Sequence, residues 1–226
     1  MAKHLQREIE KLKKQVLELS ALVEEQLHRA VRAIDECDAK LAEGVVQTDL
    51  VIDQMEVDVE EECLKVLALH QPVAIDLRFL VAVLKINNDL ERIGDLSCNI
   101  AERVPFFASQ TRENSPVDFP GIAERVQLMV RRSLDALVNL DVVAACEVFA
   151  IEDEVDERHR HSYALVQEEI RRSPEDLEYL INVLTLSRYL ERIADHAKNI
   201  AEDVVYMVEG EIVRHRTKDY VPISDE

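Results

Sequence analysis

Residues 90–104, LERIGDLSCNIAERV, decide the fold, because a second copy of them, LERIADHAKNIAEDV, occupies residues 190–204. Ten of the fifteen positions are identical, and each pair is separated by one hundred residues. An internal repeat of this kind indicates that a chain is built from two copies of one structural unit. The sequence therefore predicts a duplicated fold, and the repeat is the natural place to look for functional residues.

A helical projection divides each copy of the repeat into an acidic face and an apolar face. At about 100° per residue, Glu91, Asp95, Asn99 and Glu102 project within roughly 80° of one another. The apolar residues follow alternating steps of four and three, which is the heptad pattern of packed helices. They are Phe79, Val83, Ile86, Leu90, Ile93, Ile100 and Val104, and in the second copy Tyr179, Val183, Leu186, Leu190, Ile193, Ala197, Ile200 and Val204. Each helix is thus expected to pack through one side and to present carboxylates on the other.

A solvated surface is the simplest interpretation of the acidic face. Against it, the same Glu, Asp and Asn recur at matching places in both copies. Like charges four residues apart also destabilise a helix slightly, and a bound cation would relieve that repulsion. The pattern therefore favours a metal-binding role, with a solvated face as the alternative.

The composition favours helix and excludes several classes of partner. Of 226 residues 47% are hydrophobic, with four Gly, six Pro and no Trp, which suits an all-α fold. The net charge of −19 disfavours binding to nucleic acid or to an anionic membrane surface. The longest apolar run, residues 79–84, is too short to span a membrane, and the first residues do not resemble a signal peptide. We expect a cytoplasmic protein without direct membrane insertion.

Turn and capping signals divide the chain into two units. We predict an all-α fold of two tandem, pseudo-symmetric three-helix bundles, six helices in total. The first unit spans residues 1–110, with helices over 5–37 and 39–69 and a third from 76. A connection over 111–121 precedes the second unit at 122–213, with helices over 122–140 and 142–172 and a last helix that Ser173 caps and that ends near 213. The tail, 214–226, is predicted to be disordered.

The middle helix of each unit carries a second, weaker acidic pattern. Asp49, Asp53 and Glu56 lie at i, i+4 and i+7, and Glu152, Asp156 and His159 correspond to them with an offset of 103 residues. Short loops make neighbouring helices antiparallel and adjacent. Two acidic faces on a shared groove could then supply four or more oxygens to a divalent cation, and two independent solvated faces are the alternative.

Oxygen ligands limit the chemistry that such a groove supports. They suit hard cations such as Mg²⁺, Ca²⁺ or Mn²⁺, and carboxylate-bound iron also fits. A ferritin-like di-iron protein would need two Glu-x-x-His elements. Glu25–His28 is one, and Asp156–His159 has the same spacing with Asp in place of Glu. The sequence has no phosphate-binding glycine loop, nucleophile elbow or redox motif. We therefore expect a protein that is not an enzyme, with a di-iron protein or an unrelated helical interaction protein as alternatives.

Several motifs resemble the PhoU family of phosphate-transport accessory and regulatory proteins. They are the two ERI(G/A)D-x-x-x-N elements, Gln71-Pro72 followed by Asp76-Leu77-Arg78, and VEEQL at 23–27, and the resemblance covers about residues 4–211. It implies a PhoU-like pair of three-helix bundles and a negative regulator of the phosphate-starvation (Pho) regulon and of phosphate uptake. It further implies a cytoplasmic adaptor between the ATPase subunit of the phosphate ABC importer and a sensor histidine kinase. Apolar residues upstream on the acidic faces suggest self-association, so a homodimer is expected; they are Leu77, Leu84, Leu177 and Leu184.

The same resemblance implies which residues bind metal. The implied ligands are Glu91, Asp95, Asp49 and Asp53 in the first unit and Glu191, Asp195, Glu152 and Asp156 in the second, with Asn99 and Asn199 in support. Ala194 in place of the usual glycine and His159 in place of an acid set the second copy apart. The expected metal ion is divalent or trivalent, and Mg, Mn, Fe, Zn and Ca are not distinguished. A protein that requires no metal is the alternative.

Overall fold

The computed structural model of the chain describes residues 2–110, 115–214 and 220. This part of the chain contains six long helices, one five-residue helix and one 3₁₀ turn, and no β-strand, so the predicted all-α class is confirmed. The elements are α1 (Ala2–Glu36), α2 (Ala39–His70), α3 (Ala74–Ala101), α4 (Val104–Ala108), α5 (Phe119–Asn139), α6 (Val142–Arg172), the 3₁₀ turn Pro174–Asp176 and α7 (Leu177–Glu209). Among the described residues no helix has the length and apolar character needed to cross a membrane.

Acidic caps set the start of three helices. The Asp38 carboxylate accepts hydrogen bonds from the backbone N–H groups of Lys40 and Leu41, and Asp141 accepts one from Ala144. Asp118 accepts one from Gly121 and caps α5, which therefore begins at Phe119 and not at the expected residue 122. An N-terminal side-chain acceptor satisfies an amide that has no partner within the helix.

The ends of α7 differ from the expectation. Ser173 makes no side-chain capping hydrogen bond, and the 3₁₀ turn Pro174–Asp176 lies between it and the first residue of α7. The helix ends at Glu209 and not near residue 213, because Gly210 adopts a left-handed conformation with φ of 79°. Glycine enters this conformation without steric strain and commonly follows a helix C-terminus.

The predicted heptad seam forms the core. Leu90, Ile93, Ile100 and Val104 of the first repeat, and Leu190, Ile193, Ile200 and Val204 of the second, have no accessible surface. Ser97 interrupts the seam, and it is also fully buried and donates its hydroxyl to the Ile93 carbonyl over 2.7 Å. Burying each large aliphatic side chain contributes about 1.5–3 kcal/mol, so the repeated motif is first of all the structural centre of each unit.

The three helices α1, α2 and α3 form the first unit, and α5, α6 and α7 form the second. The units meet where α3 packs against α7. Polar bonds cross this contact: His196 Nδ1 lies 2.7 Å from Asp89 Oδ1, and Lys85 Nζ lies 2.9 Å from Asp203 Oδ1. The sides of α3 and α7 that carry these polar residues face each other. The acidic face of α3 therefore turns towards α2, and that of α7 turns towards α6.

The predicted connection and tail lie partly outside the described residues. Of the connection, residues 111–114 are outside, and residues 119–121 belong to α5. Of the tail, Arg214 and Tyr220 are described. Arg214 donates to Asp203 over 3.4 Å, which ties the chain after α7 to the contact between the units.

Candidate metal centre

Three carboxylates of the first unit converge in the groove between α2 and α3. One oxygen of each of Asp49, Asp53 and Asp95 lies within 4.8 Å of an oxygen of the other two. Asp49 and Asp95 are half-buried, and Asp53 is exposed. A hard cation between them would contact an oxygen from each, so the structure brings together three of the residues that the sequence indicated.

The positions of these carboxylates follow from the local sequence. Asp49 and Asp53 are four residues apart and therefore lie on one face of α2. Residues 71–73 connect α2 to α3, and so short a connection makes the two helices antiparallel neighbours. Asp95 projects from α3 opposite the apolar seam, which brings it over the α2 pair.

Glu91 lies one turn before Asp95 and completes the acidic groove. Its Oε2 atom is buried and accepts no hydrogen bond, but Arg92 Nε lies 3.3 Å from it as an ion-pair partner. Burial, and then the charge of Asp95, raise the pKa of Glu91 to about 7, against the opposing effect of Arg92. A partly buried carboxylate beside another carboxylate is unfavourable in its charged form, and a cation in the groove would compensate it.

Two neighbouring acids share this environment. The pKa of Asp49 is raised by burial and by the charges of Asp53 and Asp95, although a hydrogen bond from Gln26 opposes the rise. The pKa of Glu56 is raised by burial and by Glu60 and Asp53. Burial is the main cause of these raised pKa values, repulsion between the carboxylates adds to it, and a bound cation would relieve that repulsion.

Gln26 of α1 belongs to the site although the sequence did not single it out. It is fully buried, and its Nε2 donates to Asp49 Oδ1 over 3.1 Å and to the Val45 carbonyl over 3.3 Å. The available signal was a polar residue between apolar neighbours on the buried side of α1. A Cβ at Gly94 would lie 3.2 Å from Gln26 Oε1 and from Ile52 Cγ2, so glycine allows α3 to approach both helices.

Arg92 and Asn99 lie at the edge of the groove. Arg92 Nη1 pairs with Asp95 Oδ2 over 2.9 Å, and the arginine side chain is 48% exposed. A surface pair of this kind contributes little stability, so a cation could displace it. Asn99, predicted as a supporting ligand, donates a hydrogen bond from its Nδ2 to the backbone carbonyl of Asp95 over 2.7 Å. This bond holds the Asn99 side chain against its own helix.

The second unit places its predicted ligands in one groove but does not reproduce the cluster. Partial burial, and then the charges of Glu191 and Asp156, raise the pKa of Asp195 to about 6, and burial and Asp156 raise the pKa of Glu191. Glu152 Oε1, however, accepts a 2.8 Å hydrogen bond from Lys198 Nζ. Within the described ranges, no three acids of this groove lie as close together as those of the first unit.

Two further polar side chains of the second unit, Asn199 and His159, have partners outside the acidic cluster. Asn199, predicted to support the second site, donates its Nδ2 to Asp89 Oδ1 of the first unit over 3.1 Å. His159, which stands at the position of Glu56, lies 2.8 Å from Ser187 through its Nδ1, and burial and the charge of Arg188 lower its pKa. Neither side chain adds an oxygen ligand to the groove.

The di-iron alternative is not supported by the geometry. Glu25 and His28 lie in the groove between α1 and α5, where His28 Nδ1 is 3.1 Å from Gln127 Oε1. Asp156 and His159 lie on α6 and face α7. The two elements that resembled Glu-x-x-His motifs are therefore in different grooves.

Comparisons with known proteins agree with the fold. The PhoU domain model matches residues 16–104 and 119–204. A phosphate-specific transport system accessory protein PhoU homolog of Pseudomonas aeruginosa is 36% identical over 209 residues, which are 92% of this chain and 86% of that protein.

Solved structures show the same architecture. The crystal structure of PhoU from Pseudomonas aeruginosa matches with a TM-score of 0.88 and 35% identity, covering 91% of this chain and 99% of that one. The phosphate transport system regulatory protein PhoU from Streptococcus pneumoniae matches with a TM-score of 0.80 and 29% identity, covering 92% and 99%. The family model, the relative and both folds lead to one conclusion: this chain belongs to the PhoU family.

Proposed function

We propose that this protein is an accessory and regulatory component of phosphate-specific transport that represses the Pho regulon and phosphate uptake when phosphate is plentiful. The observation that carries the proposal is the match along nearly the whole chain to relatives named as phosphate-specific transport accessory proteins. In this role it acts as a homodimeric cytoplasmic adaptor, which contacts the ATPase subunit of the phosphate ABC importer and a sensor histidine kinase.

The surface chemistry supports an adaptor over an enzyme. The net charge is −19, and the grooves of both units are lined by carboxylates. Charge of one sign speeds association with a partner of the opposite sign and excludes partners of the same sign. The proposed partner surfaces are therefore basic patches, and the protein acts by binding.

Metal binding is the second part of the proposal. Asp49, Asp53 and Asp95 would hold a divalent cation in the first unit, with Glu91 beside them. The bound ion would supply positive charge that neutralises the groove. The metal state would in this way set whether a strongly acidic groove or a neutral one is presented to a partner.

Deletion of the gene tests the regulatory role. Alkaline phosphatase activity is measured in phosphate-rich medium in the parent, in the deletion strain and in the deletion strain carrying the gene on a plasmid. The proposal expects activity to rise on deletion and to fall again on complementation. Unchanged activity would favour a helical interaction protein with no link to phosphate.

Thermal melting tests the metal site separately. Ligand linkage stabilises a protein by about 2.7 kcal/mol at one hundred times the dissociation constant, so the Tm should be higher in Mn²⁺ or Mg²⁺ than in EDTA. Asp95→Asn should remove the increase, and Asp58→Asn, an exposed acid on α2, should retain it. A Tm that is identical in every condition would discard the metal site and leave the adaptor role intact.

A further inference from the structure

The two units allow a position-by-position comparison of their grooves. The offset is 100 residues between α3 and α7, and 103 residues between α2 and α6. The predicted ligands correspond under these offsets: Asp49 to Glu152, Asp53 to Asp156, Glu91 to Glu191 and Asp95 to Asp195. The side chains around them do not correspond, and this difference determines which groove accepts a cation.

The largest difference is at positions 98 and 198. Lys198 reaches from α7 to α6, where its Nζ lies 2.8 Å from Glu152 Oε1. The side chains are only 24% and 10% exposed, so solvent screens the pair poorly. Lysine carries an ammonium group at neutral pH, and this one donates to the Glu152 carboxylate. The second groove therefore contains a permanent cation of its own.

The first unit has a neutral group at the same place. Cys98 occupies this position, and a cysteine side chain carries no positive charge in either protonation state. Arg92 and Arg192 occur in both units and cannot distinguish the grooves. Arg188, whose charge acts on Glu191 and His159, replaces Asn88 and adds positive charge to the second groove alone.

From this geometry we infer that the chain binds one divalent cation, in the first groove, and that the Lys198 ammonium takes the place of a cation in the second. A metal ion entering the second groove would have to displace Lys198 from Glu152 and leave an ammonium beside a dication, and like charges in a poorly solvated groove repel strongly. The inference rests on the proposed metal site of the first unit and restricts it to one copy of the repeat.

Counting Mn²⁺ on the purified full-length protein tests the inference. Equilibrium dialysis followed by elemental analysis should give one ion per chain for the unaltered protein, none for Asp95→Asn and one for Asp195→Asn. Lys198→Met should raise the count to two, because Glu152 then loses its internal partner. The combination of Lys198→Met with Asp195→Asn should return the count to one.

A reciprocal variant keeps the test decisive where Lys198→Met does not fold. Cys98→Lys places an ammonium in the first groove and should abolish Mn²⁺ binding and the Tm difference between Mn²⁺ and EDTA, while circular dichroism confirms the helical fold. Two ions on the unaltered protein, with one lost on Asp195→Asn, would overturn the inference and leave the metal function standing. No ion on any variant would overturn both, and one ion retained by Cys98→Lys would overturn the role of the ammonium.

Discussion

Gln26 of α1 donates a hydrogen bond to Asp49 of α2 over 3.1 Å, and the glutamine is fully buried. The bond directs one carboxylate of the candidate metal centre from a helix that contributes no ligand. A partner that fixes the orientation of a ligand commonly changes metal affinity by 10–100-fold. In the second unit the position that corresponds to Gln26 with the 103-residue offset is Met129, which cannot donate such a bond.

Gln26→Met should weaken Mn²⁺ binding by about 10–100-fold. The metal-free protein should stay within about 1 kcal/mol of its original stability, because methionine fills the space and removes an amide oxygen, Gln26 Oε1, that has no hydrogen-bond partner. Isothermal titration with Mn²⁺ and urea unfolding in EDTA measure the two effects.

The matched control for this variant is Gln15→Met. Gln15 also lies on α1 and also has a buried side-chain oxygen without a hydrogen-bond partner, but it precedes Gln26 by about three helical turns. Its Mn²⁺ affinity should equal that of the unaltered protein. Equal losses of affinity in both variants would show that Gln26 acts through α1 packing and not through Asp49.

Stability in EDTA should decrease as pH rises from 5 to 8. The folded pKa of Glu91, about 7, is higher than the ordinary value of 4.5. Its contribution to folding is therefore fully present below about pH 4.5 and is lost as pH rises through 7. The pKa of Asp195, raised to about 6, acts in the same direction at lower pH. Tm measured against pH in EDTA checks this, and Glu91→Gln should flatten the curve between about pH 4.5 and 7.

Mn²⁺ binding should show the opposite pH dependence. Glu91 must release its proton before it can join the site, and metal affinity falls as a ligand becomes protonated. Because each pH unit below a pKa of 7 reduces the deprotonated fraction tenfold, affinity at pH 5.5 should be about 30-fold lower than at pH 8. Titrations that give one affinity at both pH values would exclude Glu91 from the site.

Lys85→Met should destabilise the contact between the units. Among the described residues, the variant leaves Asp203, whose side chain is 4% exposed, with the longer 3.4 Å pair to Arg214. Loss of a charged partner from a buried carboxylate should reduce the free energy of unfolding by roughly 2–3 kcal/mol at pH 8. Burial already raises the pKa of Asp203 against the effect of Lys85, so the loss should shrink as pH is lowered and the carboxyl becomes protonated.

Lys14→Met is the control for the Lys85 variant. Lys14 pairs with Glu18 over 3.5 Å, and both side chains are more than half exposed. Exposed pairs contribute between zero and about 1 kcal/mol, so urea unfolding should detect little change at either pH. A loss as large as that of Lys85→Met would show that the general loss of positive charge, and not the buried pair, is responsible.

Ile93→Ala and Ile193→Ala should destabilise the protein to a similar extent. Both isoleucines are fully buried at equivalent positions of the repeat, and a large-to-alanine change in a packed core reduces stability by about 2–5 kcal/mol. Urea unfolding measures both variants beside Ile181→Ala, which removes a side chain that is 52% exposed and should have an effect below about 0.5 kcal/mol.

Local sequence carried most of the information about the fold. The repeat at 90–104 and 190–204 predicted the duplication, and its heptad spacing predicted the residues that are fully buried in α3 and α7. The predicted start of the second helix at residue 39 is confirmed, and Asp38 caps it there. These features succeed because helical periodicity and capping depend on residues within a few positions of one another. The ends of α7 were missed because the Pro174–Asp176 turn and the Gly210 conformation compete with simple helical continuation.

The sequence predicted only part of the candidate metal centre. The spacing of Asp49 and Asp53, and of Glu91 and Asp95, showed two acidic faces by itself, because i, i+4 neighbours share a helix surface. Only the packing of three helices decided that Gln26 meets Asp49, that Asn199 donates to Asp89 of the other unit, and that Lys198 reaches Glu152. Such contacts join residues far apart in the chain, and their charges act over a few ångströms in space regardless of sequence distance. The sequence alone thus determined two similar acidic helices, and the tertiary structure made one groove a cluster of carboxylates and supplied the other with its own ammonium.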